Sequence, residues 1–189
     1  LDKHVEKQLI TSLGDLPRSR AFFGRETELE NICNLLDARS SCLLLPGIAG
    51  IGKTALAGKV IEQYTHRRNL LYHRCQDWEG SRAFLEACAE WLSAIGDDDL
   101  SDYILTTAVP QPAVVVNIIV GALEEVAALV VIDDLHKVND EVLYAIIRGL
   151  SQRMDEMQEC GLVMFSRSFR AVVPLKDADG RISALVLPL

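Results

Sequence analysis

Apolar positions recur along this chain at two periods. From Arg25 to Asp37, Leu29, Ile32, Cys33 and Leu36 follow helical spacing. "SRAFLEACAEWLSAIG" (81–96) places Phe84, Leu85, Cys88, Trp91, Leu92 and Ile95 on one side, with Gly96 as a stop. A further face, Val142, Leu143, Ile146, Ile147 and Leu150, follows Asn139, which can cap a helix whose first turn holds Asp140 and Glu141. Residues 113–124 predict a helix despite their β-branched content, because strand alternation is absent. The acidic turn "DDD" and the segment up to Pro112 predict short helices. Residues 1–13 predict a short amphipathic helix with Val5, Leu9 and Leu13 on one face, broken by "GDLPRSR".

Between these faces lie short, continuous apolar runs: "SSCLLL" (40–45), "LLYHRC" (70–75), "ALVVIDD" (128–134), "GLVMFS" (161–166) and "ISALVLPL" (182–189). Runs that are apolar on both faces suit strands of a parallel sheet covered on both sides. Their alternation with helices predicts a doubly wound α/β fold. The last strand has no polar segment after it, so a fragment cut just beyond its core sheet is expected.

Composition narrows the class. The 189 residues are 49% hydrophobic, enough for one domain with a sizeable core and too apolar for a disordered chain. The N-terminus is charged where a signal peptide needs an apolar region. The most apolar stretches, "AVVVNIIVGAL" and "VAALVVI", are shorter than the roughly 18 residues of a membrane span. A soluble, cytoplasmic chain without a membrane partner is the expectation. The five scattered cysteines form no C-x-x-C pair and read as reduced, buried thiols. A formal net charge of −8 argues against a broad basic face for nucleic acid.

The candidate chemistry begins at "GIAGIGKT", which fits G-x-x-x-x-G-K-[ST] with Gly47, Gly52, Lys53 and Thr54 in the fixed places. A phosphate chain needs several backbone N–H groups turned into one concavity. Gly47, Gly50 and Gly52 allow that approach, while Ile48, Ala49, Ile51 and Ala55 complete the backbone around it. The helix starting near Lys53 offers its N-terminal dipole, Lys53 can neutralise the β- and γ-phosphates, and Thr54 can ligate Mg²⁺. Asp133 and Asp134 end a buried strand, where two adjacent carboxylates repel and lose solvation. A divalent cation relieves both costs. Asp133 is assigned to Mg²⁺ through water, and Asp134 to orienting or polarising the attacking water. His136 stays open between a surface histidine and a phosphate- or interface-linked one. "VMFSRSFR" ends another strand. If that strand lies between the loop strand and the Asp133 strand, Arg167 reaches the γ-phosphate and can detect it bidentately. Arg170 reads as a solvated loop arginine.

Together these residues resemble the STAND class of P-loop NTPases, signal-transduction ATPases related to NACHT and AP-ATPase modules and to AAA+ proteins. "FFGRETELE" looks like the class's F-x-G-R-E-x-E-L motif, "GIAGIGKT" its Walker A, "VVIDD" its Walker B, and "FSRS" its strand-plus-arginine sensor. The resemblance implies a three-layer α/β/α sandwich with a parallel five-stranded sheet of order 5-1-4-3-2. An N-terminal helix or linker (1–19) would precede an ATPase core (20–189). It implies adenine held near Phe23, Gly24 and Arg25, with ATP or ADP and Mg²⁺ as ligands. Slow ATP hydrolysis would involve Lys53, Asp134 and Arg167. Such modules act as switches within larger proteins that carry effector and sensor domains, and they self-associate in the ATP state. The helical and winged-helix domains that follow in the class are absent from this sequence. A working AAA+ ATPase, such as a DNA-loading or remodelling factor, is the alternative; "GRE-x-EL" motifs occur there too, although the acidic balance makes nucleic acid an unexpected partner. A small-molecule kinase would need an arginine-rich lid, and none is visible. A scaffold that binds ATP only to fold is disfavoured by the intact acid pair.

Overall fold

The computed structural model describes residues 9–16, 24–38, 42–154, 157, 159–167 and 185–186. Val5, Phe23, Arg170 and the N-terminal linker up to residue 8 lie outside the described residues, as does most of the 182–189 run.

The chain alternates strands and helices. β1 (Thr11–Ser12) and α1 (Glu26–Asp37) lead to β2 (Cys42–Pro46) and α2 (Lys53–Tyr64). β3 (Asn69–Arg74) follows, then α3 (Ser81–Ile95), α4 (Asp99–Thr106) and α5 (Pro112–Leu123). β4 (Ala128–Asp133) runs through a 3₁₀ turn (Leu135–Lys137) into α6 (Glu141–Met154), β5 (Cys160–Ser166) and β6 (Leu185–Val186).

All strands are parallel, in the order β1-β3-β4-β5-β2-β6. Counted from β2 as first, the strands from Cys42 onward stand in the expected order 5-1-4-3-2. The sheet differs in carrying a sixth strand, β1, at its edge. This corrects the described end, residues 9–13, of the helix expected over residues 1–13: Leu9 and Leu13 flank an extended segment, not a helical face. The Asn69 side chain explains the difference, because its Oδ1 accepts from the Ile10 N–H at 2.8 Å while the Leu70 N–H donates to the Ile10 carbonyl at 2.8 Å. Those bonds hold residues 10–12 extended along β3.

Alternation within each strand builds two cores. Leu43, Leu45, Leu70, Tyr72, Leu129, Val131, Val163 and Phe165 face α1 and α2. Leu44, Leu71, Val130, Ile132, Leu162 and Met164 face α3 to α6. Each side chain taken fully out of water contributes about 1.5–3 kcal/mol, so both layers are held by the sheet between them. Every residue of β2, β4 and β5 is buried, as the continuous apolar runs required. Cys42, Cys75, Cys88 and Cys160 are buried and Cys33 is half-buried. No helix among the described residues is long and apolar enough to cross a membrane.

The cap of α6 falls one residue later than expected. Asp140, not Asn139, accepts from the Val142 and Leu143 N–H groups through Oδ1, at 2.8 and 3.1 Å. Its other oxygen accepts from the Ser81 N–H at 2.7 Å, so one carboxylate holds the start of α6 and the start of α3.

Candidate active site

The functional groups converge where the parallel strands end. β2 runs into the loop 47–52, whose first N–H, that of Gly47, donates to the Ser166 carbonyl at 3.0 Å. Gly50 and Gly52 take φ of +78° and +91°, conformations a side chain would strain, and Gly52 is the residue from which α2 starts. Gly47 lies outside that region of φ; its role is the passage from strand to loop. Lys53 is 7% exposed. Its Nζ donates to the carbonyls of Gly47 and Ile48, at 2.6 and 2.9 Å, which seats the ammonium over its own loop. Burial, then the nearby Arg167, lower its pKa.

Asp133 closes the floor and is fully buried. Its Oδ2 accepts from the Thr54 hydroxyl at 2.6 Å and the Tyr72 hydroxyl at 3.1 Å, and its Oδ1 from the Asp134 N–H at 2.8 Å. A threonine hydroxyl and a carboxylate in direct contact are the hard oxygen donors that suit Mg²⁺, so Thr54 and Asp133 fit the metal assigned to them. Tyr72 is kept protonated by burial and then by the negative Asp133 beside it.

Asp134 has a positive φ of 55° and is 8% exposed. Its Oδ2 lies 3.0 Å from Arg74 Nη2 and 3.0 Å from Lys137 Nζ, and also accepts from Arg74 Nε at 3.1 Å. Burial works to raise its pKa, but hydrogen bonds from Lys137 and Arg74 outweigh it and hold the carboxyl below its usual range. The loop beyond it is pinned where the Tyr144 hydroxyl donates to the Val138 carbonyl.

A cleft of 310 Å³ gathers Ala49, Gly50, Gly52, Lys53, Thr54, Ala55, Arg74, Asp134, Lys137 and Arg167. Arg167 enters it from the end of β5, which lies between β2 and β4 as its expected role required. A roomier hollow of 520 Å³ beside Cys160 sits at the opposite end of β5, away from the loop. Ile48 is 73% exposed at the loop tip, and Ile51 is half-buried. Gly24 is exposed with φ +76°. Arg25 is paired to Glu28 at 3.3 Å, and its Nε lies 3.9 Å from where a Cβ on Gly52 would stand, so it borders the loop.

Arg74, Lys137 and Tyr72 escaped sequence reasoning. Arg74 and Tyr72 sit on a strand that reads only as core. Their meaning depends on β3 pairing beside β4, with Arg74 opposite Asp133. The available signal was an arginine ending an apolar strand on the edge where Asp133 also ends.

The model of the AAA ATPase domain family matches residues 21–164, from before α1 to β5. The chain belongs to the AAA ATPase domain family. This AAA domain is an ATPase module with a P-loop NTPase fold, and the match does not extend to the finer STAND subclass. No curated protein matches it. Solved structures share its fold. A crystal structure of Cdc6p from Pyrobaculum aerophilum has 19% identity and a TM-score of 0.58, covering 82% of this chain and 42% of that one. The Aeropyrum pernix Orc1 protein in complex with DNA has 19% identity and a TM-score of 0.58, covering 90% and 46%. Drosophila ORC bound to DNA has 12% identity and a TM-score of 0.54, covering 86% of each chain. The AAA domain therefore spans less than half the length of the first two. The expectation that nucleic acid is not a partner finds no support among these relatives.

Proposed function

We propose that this chain is the ATP-binding and ATP-hydrolysing core of a larger AAA+ protein that works on DNA, as a loading or remodelling factor. The observation that carries the ATPase chemistry is the cleft itself. There the glycine loop, Lys53, Thr54, Asp134 and Arg167 face one space large enough for a phosphate chain, with Asp133 buried behind Thr54 and bonded to its hydroxyl. Loop N–H groups and Lys53 would hold the β- and γ-phosphates. Thr54 and Asp133 would hold Mg²⁺, which supplies charge neutralisation between those phosphates. Asp134 would orient the attacking water, and Arg167 would meet charge developing on the γ-phosphoryl oxygens. Arg74 and Lys137 occupy Asp134 in this structure. Both cations sit on Oδ2, so Oδ1 is the oxygen left to orient water, and the depressed pKa that the cations cause weakens the carboxylate as a base, which makes for slow turnover. Arg25 and Gly24, beside Gly52, are placed for the base end of the nucleotide.

The DNA reading is supported by fold relatives solved with DNA and by AAA membership. With a net charge of −8, contact would come through a local patch or a further domain rather than a broad face. The test is ATP turnover by the full-length parent protein with and without duplex DNA, at low and moderate salt. Salt-sensitive binding with altered turnover supports it. Turnover indifferent to DNA, with ADP carried stoichiometrically through purification, would instead select the signalling switch. That second reading, in which ATP-state self-association gates effector domains, is favoured by one observation: the doubly clamped Asp134.

A further inference from the structure

His136 is a half-buried titratable group to which the site gives no task. Both ring nitrogens are buried and neither has a hydrogen-bond partner. It sits in the 3₁₀ turn after Asp134, and that turn packs on β5, the strand that delivers Arg167. The charged groups around the ring are Arg167, Asp134, Lys53 and Lys137, all four of which line the phosphate cleft. Burial, then Arg167, lower its pKa, so the neutral ring presents one N–H donor and one bare acceptor nitrogen.

Acceptors are scarce in this cleft. Asp134 Oδ2 is taken by Arg74 and Lys137. Asp133 is taken by Thr54, Tyr72 and the Asp134 N–H. The Gly47 and Ile48 carbonyls are taken by Lys53. A guanidinium that gives two N–H groups to a phosphate still has others to place. Among the described residues Arg167 forms no ion pair; Asp134 Oδ1 is one acceptor left in the cleft, and His136 supplies another in a ring nitrogen that is buried and has no partner.

We propose that His136 is the positioning residue for Arg167: its bare ring nitrogen accepts a guanidinium N–H that faces away from the γ-phosphate, and so holds the arginine in the posture that reads that phosphate. This rests on the reading of the 47–54 loop as a nucleoside triphosphate site.

The test compares calorimetric affinities for a non-hydrolysable ATP analogue and for ADP. The proteins are the wild type, His136→Ala, His136→Gln, Arg167→Ala and the double variant. Ring ¹⁵N resonances of His136 are followed in parallel. His136→Ala should weaken the analogue about tenfold, the worth of one charge-assisted hydrogen bond, and leave ADP unchanged. The double variant should be no worse than Arg167→Ala alone. His136→Gln, whose amide oxygen can accept, should recover most of the loss. The acceptor nitrogen should shift with the analogue and not with ADP, and not in Arg167→Ala. Analogue and ADP weakened together, additive variants, or a ring resonance indifferent to the analogue would each overturn the proposal. A wild type that binds neither nucleotide overturns the triphosphate reading beneath it. A wild type that binds both, with His136→Ala unaffected, overturns only the role of His136. If His136→Ala fails to melt cooperatively, His136→Gln and the resonances decide alone.

Discussion

Asp134 is held in a way that limits it as a base. A left-handed conformation at a non-glycine residue costs about 1–2 kcal/mol, and such strain persists where the surroundings over-determine it. Here the determinants are the Asp133 carboxylate on its N–H and the two cations on its side chain. In the proposed mechanism Asp134→Asn removes the charge that orders the water while leaving the loop and Lys53 in place. We expect kcat to fall about 10²–10⁴-fold, the usual weight of a positioned base, with ATP affinity nearly unchanged; turnover kinetics beside calorimetry check this. Undiminished turnover would assign the water to another group. At this scale residue type and position in the pattern were enough to mark candidates that the structure then brings to one place: Lys53 and Thr54 at the start of α2, Asp133 at the end of β4 and Arg167 after β5. The sequence was silent on Arg74 and Tyr72, whose roles exist only because β3 lies beside β4.

Asp140 shows how a single side chain joins two elements. Its oxygens hold the first turns of α3 and α6, and Gly80 leaves room for it, since a Cβ there would stand 2.9 Å from Oδ2. Losing a helix cap costs about 0.5–2 kcal/mol, so Asp140→Ala should lower unfolding free energy by about that much or somewhat more in urea titration. Burial works to raise its pKa, and N–H donors from Ser81, Leu143 and Val142 prevail and lower it. The folded-state pKa is depressed, so this stabilisation is complete above the ordinary carboxylate value of about 3.9 and is lost as pH falls through the folded value. Wild type should therefore lose more stability than Asp140→Ala on acidification below about pH 4; parallel curves would contradict the role. Sequence could not separate Asn139 from Asp140, because both are good caps and the choice was made by Ser81 in another element. The same limit applied to β1, a two-residue strand with no periodicity of its own. It did not apply to α3 and α6, whose faces were long enough to read. α5 and α6 touch at Gly149, where an added Cβ would stand 2.7 Å from Val116 Cγ2. Val116 is stiff at χ1, so Gly149→Ala should destabilise by about 1–3 kcal/mol through overpacking. A thermal melt unchanged from wild type would mean that the helices separate freely.

The whole molecule places its chemistry at one edge. A parallel sheet collects the carboxyl ends of its strands, where loops can differ without disturbing the core, and ligands bind there. The glycine loop after β2, Asp133 at the end of β4 and Arg167 after β5 are brought together by strand order alone. That explains why the fold class was readable from alternating apolar runs, whereas the larger protein around it was not: a core sheet carries the pattern of its own burial and none of its partners'. The claim on which the rest depends is that the 47–54 loop binds a nucleoside triphosphate. The most direct measurement is a calorimetric titration of the chain with ATP and Mg²⁺, wild type beside Lys53→Ala. The structure predicts one saturable site in wild type, abolished in a Lys53→Ala protein that melts like its parent. No binding by wild type, or equal binding by both, would contradict it.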